Sequence, residues 1–330
     1  MTQRLSLLVF LVAICFSGCT PKTSATEDPI ADTADLRVPF GDPFIMLWND
    51  TYYAYGTQSP DGIVVYESDD LKTWRVPEGA RNGLALHKDD VWGERWFWAP
   101  EVYPINGKFY MYFSADEHIS VATSDSPVGP FTQAEQKPML EGEKSIDNSL
   151  FIDDSGKPYL FFDRFNDGLN IWSAELEDNL LEIKTETMRK CIAVSQKWEE
   201  VWPRVNEGAF VMKHNGVYYM TYSGNGYESP FYGIGFATAT DINGPWTKYE
   251  KNPIFQKPGN LVGVGHSAMF TDKEGRLRIA FHAHNTDMKI HPRHMYISTV
   301  RFEERDGQEV MVIDEDYMTP KLDASAAAQD

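Results

Sequence analysis

Apolar residues fall at every second position through short runs along most of this chain, and glycine, asparagine or aspartate punctuates the runs. That period of two predicts strands, and the punctuation predicts the turns that join them into hairpins. Four segments repeat one layout of strand, turn and returning strand: Ala99–Phe113 around Gly107, Leu150–Phe162 around Gly156, Phe210–Tyr222 around Gly216 and Met269–Phe281 around Gly275. A fifth, Pro43–Tyr55, turns at Asp50 with one residue fewer. Each is followed by a third strand-like run, at Gly62–Tyr66, Ile119–Thr123, Leu169–Trp172, Gly235–Ala239 and Met295–Val300. No long segment carries the 3.6-residue period of an amphipathic helix. Five units of roughly fifty to sixty residues predict an all-β, five-bladed β-propeller over residues 39–318.

A propeller sets its innermost strands side by side around a central channel, so equivalent positions form a ring at one end of it. Nine residues before the turn glycine stand Trp98, Asp147, Glu207 and His266, and eight before Asp50 stands Asp42. The register therefore gathers three carboxyl groups, an imidazole and an indole. Crowded carboxyl groups cannot all ionise at their ordinary pKa; one is driven upward and keeps its proton while another serves as base. One carboxylic acid to protonate a leaving oxygen and one carboxylate to activate water, or to attack directly, is the equipment of glycoside hydrolysis.

The residues that carry this register resemble those of glycoside hydrolase family 43, the inverting five-bladed-propeller arabinofuranosidases, xylosidases and arabinanases. They are Gly41-Asp42-Pro43-Phe44-Ile45, Trp98-Ala99-Pro100-Glu101-Val102, Ile146-Asp147, Glu207-Gly208-Ala209 and Gly263-Val264-Gly265-His266. The resemblance spans about Pro39 to Glu303, and departs where Gly41 replaces a frequent arginine and Ala209 a common proline. It implies that Asp42 is the general base, Glu207 the general acid, and Asp147 the carboxyl group that orients the acid and raises its pKa. It also implies that Arg293 contacts sugar hydroxyls, although an ion pair on this acidic chain is an equal reading. A channel ion, commonly calcium held largely through water, is implied beside His266; no second His or Cys stands beside it at zinc-ligand spacing. The chemistry itself needs no cofactor. His282 and His284 share one strand face and read as surface or hydrogen-bonded histidines rather than a metal pair.

Composition narrows the partners. The net charge of −19 disfavours nucleic acid and anionic lipid headgroups, which leaves a neutral oligosaccharide or polysaccharide. Aromatic residues make up 13% of the chain, and sugar rings stack their C–H faces on such surfaces. Trp98, Phe165 and Trp202 are the candidate binding platforms, with core packing an equal reading for Phe165 and Trp202; Trp92, Trp96 and Tyr232 lie nearby, whereas Trp74, Phe131 and Trp246 close blades. The substrate expected is a pentose-containing plant glycan, attacked by an exo-acting α-L-arabinofuranosidase. β-Xylosidase or endo-arabinanase/xylanase action, and a lectin-like propeller without catalysis, are the alternatives.

At the N-terminus, Arg4 precedes an apolar run, Leu5–Phe16, too short to span a bilayer. With Ser17-Gly18-Cys19 it resembles the lipobox of bacterial lipoproteins. The expected layout is a signal peptide (1–18), a lipid-anchored flexible tether from Cys19 (19–38), the propeller, and a polar tail (319–330). This makes the chain an exported lipoprotein at the periplasmic face or the cell surface, touching membrane only through the lipid on Cys19. Cys191 is then left alone, so no disulfide framework is expected.

Overall fold

A computed structural model describes residues 35–201 and 203–324. The expected signal peptide, almost all of the expected tether, the last six residues and Trp202 lie outside the described residues. Five antiparallel sheets follow one another along the chain, each running from an inner strand outward. Blade 1 holds Gly41–Trp48, Thr51–Thr57, Gly62–Ser68 and Leu84–His87, and blade 2 holds Trp98–Ile105, Lys108–Ala115 and His118–Ser124. Blade 3 comprises Ser145–Ile152, Pro158–Phe165, Leu169–Glu175 and Arg189–Ile192; blade 4 comprises Asn206–His214, Val217–Gly224, Gly233–Ala239 and Thr247–Lys248. Blade 5 comprises Gly265–Thr271, Leu277–Ala283, His294–Arg305 and Gln308–Ile313. The all-β propeller is thus the observed architecture.

Aromatic and branched residues fill the spaces between blades, where one face of each sheet packs on the next. Phe44, Tyr55, Phe97, Phe113 and Phe131 lie between blades 1 and 2, and Phe281, Ile279, Phe236 and Phe255 between blades 4 and 5. Trp74, Phe131 and Trp246 are buried, as expected of closing residues. Among the described residues no blade mixes strands from the N-terminal and C-terminal parts of the chain, and the ring closes by other means. Phe40, Ile45, Trp74, Phe270 and Ile297 pack across the seam, and Lys321–Leu322 pairs in parallel with Thr73–Trp74. Leu322 N–H donates to the Leu36 carbonyl at 2.7 Å. The structured domain therefore begins before residue 39 and runs beyond 318, because both chain ends supply backbone partners to the seam.

The first two strands of each blade are joined in one of two ways. Asn49-Asp50, Asn106-Gly107 and Asn215-Gly216 form two-residue turns with positive φ at both positions, the geometry that matches strand twist and favours asparagine and glycine. Blades 3 and 5 use five-residue turns, Asp153–Lys157 and Asp272–Arg276. In each, the leading aspartate's Oδ1 accepts backbone N–H groups two and four residues ahead.

These two turn lengths correct the expected register. Near its channel end every inner strand carries a bulge, and the first bulged residue has positive φ: Asp42, Ala99, Asp147, Gly208 and His266. Trp98 and Glu207 stand one residue earlier, paired with Ser114 and Ser223. A constant offset from the turn glycine misses this, because the two-residue turn shortens the distance by one. Each bulged N–H donates to a side chain of the preceding blade's second strand. The acceptors are His282 (to Asp42, 3.1 Å), Thr57 (to Ala99, 2.9 Å), Ser114 (to Asp147, 3.0 Å), Asp163 (to Gly208, 2.9 Å) and Ser223 (to His266, 2.7 Å). Five such bonds, each worth about 1 kcal/mol, hold the bulges open and stitch the blades together at the end that carries the chemistry.

Candidate active site

The bulges turn their side chains into the channel mouth, where Asp42, Asp147 and Glu207 meet. Asp42 Oδ1 and Oδ2 accept from Arg293 Nη1 at 2.6 Å and Nη2 at 2.9 Å, a two-pronged pair in a nearly dry setting. Burial alone would raise the Asp42 pKa; the charge of Arg293 leads the influences that overcome it and hold the carboxyl well below its ordinary value. Asp42 is therefore a carboxylate near neutral pH. Arg293 reaches it because residue 41 is glycine: a Cβ there would lie 2.1 Å from the guanidinium carbon. The space left by the missing side chain is filled by Arg293, which Tyr227 flanks with its ring at 4.7 Å. Arg293 thus makes an ion pair, and its partner is the expected base.

Glu207 is in the opposite state. Burial, and then the negative charge of Asp42, push its pKa up to about 7, against the Tyr232 hydroxyl, which donates to Oε1 at 2.7 Å. Asp147 is raised well above its ordinary value by burial, then by Glu207 and Asp42. The site thus keeps one carboxyl group ionised and another protonated near neutrality.

His266 Nδ1 lies 3.4 Å from Asp42 Oδ1 and 3.7 Å from Asp147 Oδ2. Burial lowers its pKa despite Asp42, so the ring is neutral. Gly208 is required beside it, since a Cβ there would press on the imidazole at 3.1 Å. Among the described residues no three His, Cys, Asp or Glu side chains are grouped to hold a metal ion. His266 turns Nδ1 to the carboxyl groups, so Nε2 is the nitrogen that would meet a channel ion, directly or through water. His282 Nδ1 accepts the Asp42 N–H, with its pKa lowered to about 3 by burial and Arg293. His284 Nε2 sits 2.7 Å from the Tyr227 carbonyl, so both histidines are engaged in hydrogen bonds.

Trp98 stacks on Trp96 at 5.6 Å and packs on Ile146, Leu169 and Val205. Arg95 covers Trp96 at 4.0 Å, so Trp96 braces Trp98. Phe165, at the channel end of its strand, is 49% exposed and free to meet a ligand. The Trp202 expectation falls outside the described residues. Sequence reasoning missed Asp163, Gly41 and the partnership of Tyr232 with Glu207. Asp163 had a signal, a lone carboxylate inside the apolar strand Pro158–Phe165. A cavity of about 880 Å3 between the outer parts of blades 2 and 3, lined by Met139, Leu140, Leu181 and Glu182, lies outside this carboxyl ring.

A family model described as glycosyl hydrolases family 43 matches residues 36–308. Among solved structures, an endo-1,4-β-xylanase from Bacteroides thetaiotaomicron is 46% identical, with a TM-score of 0.81 over 87% of this chain and 98% of that one. A β-D-galactofuranosidase from Aspergillus niger is 25% identical over 305 residues, 84% of each chain. An extracellular exo-α-(1→5)-L-arabinofuranosidase from Streptomyces avermitilis is 26% identical over 312 residues, 86% of this chain and 63% of that one.

Proposed function

The chain belongs to family 43 of the glycosyl hydrolases and is a glycosidase, and from that premise we propose that it is an inverting, exo-acting α-L-arabinofuranosidase on pentose-containing plant glycans. The observation that carries the mechanism is the division of charge at the funnel floor: Asp42 ionised by Arg293, Glu207 protonated until about pH 7. Glu207 gives its proton to the glycosidic oxygen as the bond to the anomeric carbon breaks. Asp42 takes a proton from water as that water attacks the same carbon from the opposite face. Exchange with solvent then returns the proton to Glu207 and removes the one on Asp42. Inversion requires about 6.5–9.5 Å between the two carboxyl groups, room for the water.

Two named relatives, the galactofuranosidase and the arabinofuranosidase, support a furanose in the subsite. The endo-xylanase title on the 46% identical structure favours a second reading, action on a xylan backbone. Proton NMR of the first-formed products from arabinan, arabinoxylan and xylan separates them. Release of single arabinose units in the inverted configuration is expected; xylo-oligosaccharides as the first products would replace this reading by the second. A propeller that binds these glycans and cleaves none would return it to the lectin class.

A further inference from the structure

Three carboxyl groups, Asp42, Asp147 and Glu207, meet at the channel mouth, yet a fourth lies against them. Asp163 is fully buried on the second strand of blade 3. Its Oδ2 accepts the Gly208 N–H at 2.9 Å, directly behind Glu207. Its Oδ1 finds no N–H or O–H donor among the described residues, while the Asp147 carboxyl stands within hydrogen-bonding reach. Two ionised carboxylates in contact, one with an orphan oxygen and no water to cover it, would be prohibitively costly. A proton on one of them removes both faults.

The fold indicates which one. Asp163 occupies the position that in three other blades is Thr57, Ser114 or Ser223, and in the fifth is the neutral His282. A hydroxyl there accepts the bulge N–H and still has its own O–H to give. A protonated aspartic acid does the same with two atoms, its carbonyl accepting and its hydroxyl donating. We propose that Asp163 is a neutral carboxylic acid that accepts from Gly208 N–H through Oδ2 and donates an O–H from Oδ1 to Asp147, and so is a positioning residue for Glu207 and Asp147. This rests on the assignment of Glu207 as the acid.

The groups facing this contact agree with it. Burial, then Asp147, then Glu207 all raise Asp163, and its largest opposing influence is the Gly208 N–H. Beyond Asp147 stand Glu207, Asp42, Arg293 and His266, and behind Asp163 lies the thiol of Cys191, pushed up to about 12 by burial. With the proton on Asp163, the two aspartates together carry one negative charge. A second negative charge on the pair would disfavour ionisation of Glu207 further.

The test is Asp163→Asn, which reproduces the accept-and-donate pattern and leaves the charge unchanged. Infrared difference spectra at neutral pH, wild type minus variant, should show the loss of one protonated-carboxyl carbonyl stretch with the carboxylate bands unchanged. The alkaline limb of kcat/KM should stay within about 0.3 pH units and kcat/KM within about threefold of wild type. Asp163→Leu should cost at least about tenfold, because Gly208 and Asp147 both lose their partner. Loss of a carboxylate band in the Asn variant, with the alkaline limb moving down by about a unit or more, would mean that Asp163 is ionised and would overturn the proposal. If the limb and spectra behave as expected of Asp163 but Glu207→Gln leaves turnover intact, the acid assignment fails instead.

Discussion

Tyr232→Phe isolates the one hydrogen bond that Glu207 receives from a side chain among the described residues. The hydroxyl donates to Oε1 at 2.7 Å, and the tyrosine ring is buried and stacked on His282 at 5.6 Å, so removing the oxygen leaves the ring's packing in place. A donor stabilises the ionised form of its acceptor and lowers the acceptor's pKa, so its loss must raise the pKa of Glu207. A hydrogen bond to a charged group is worth about 1.5–3 kcal/mol, and one pH unit corresponds to about 1.4 kcal/mol. The alkaline limb of kcat/KM, expected to follow Glu207 at about 7, should therefore move up by about 1–2 units. The assay is kcat/KM across pH on an unactivated oligosaccharide, whose leaving alkoxide needs the acid. Below the native limb the variant should lose little, since protonated Glu207 is the active form in both proteins. A limb that stays in place, or moves to lower pH, refutes the reasoning.

Other perturbations test the surrounding parts. Gly41→Ala drives a methyl group into the Arg293 guanidinium; kcat/KM should fall by about 10²-fold, and the acidic limb set by Asp42 should rise into the measurable range. Glu101 is buried beneath the ring, hydrogen-bonded to Tyr103, with its pKa pushed up to about 8 by burial. Its folded value exceeds the ordinary 4.5, so the stability it contributes is complete below about pH 4.5 and is lost as pH rises through 8. Glu101→Gln should accordingly flatten the fall of stability between those limits by roughly 3–5 kcal/mol, measured by urea unfolding at several pH values. Cys19→Ala should shift the chain from the membrane fraction to the soluble fraction of its host, and an unchanged distribution would remove the proposed lipid anchor.

The hairpins were legible because asparagine and glycine announce their turns and because a half-buried strand must alternate. The carboxyl ring was legible because a propeller brings repeat-equivalent positions to one place. The exact register was not: Asn106-Gly107 and Asp153–Lys157 both read as a turn with a glycine, yet differ in length. Asp42, Asp147 and His266 were correctly set at equivalent positions, whereas Trp98 and Glu207 entered the ring from one residue earlier. The Arg293–Asp42 pair joins residues 251 positions apart, a distance over which no local pattern speaks. The seam escaped notice because two-residue strands such as Lys321–Leu322 are too short to alternate.

The central claim is that Glu207 supplies the proton to the departing oxygen, and the leaving-group dependence of Glu207→Gln tests it most directly. A general acid is worth about 10²–10⁴-fold only where the leaving group needs protonation. The variant should lose that much on an unactivated oligosaccharide, less than about tenfold on the dinitrophenyl glycoside of the same sugar, and its alkaline limb should vanish. Equal losses on both substrates, with the limb retained, would contradict the account.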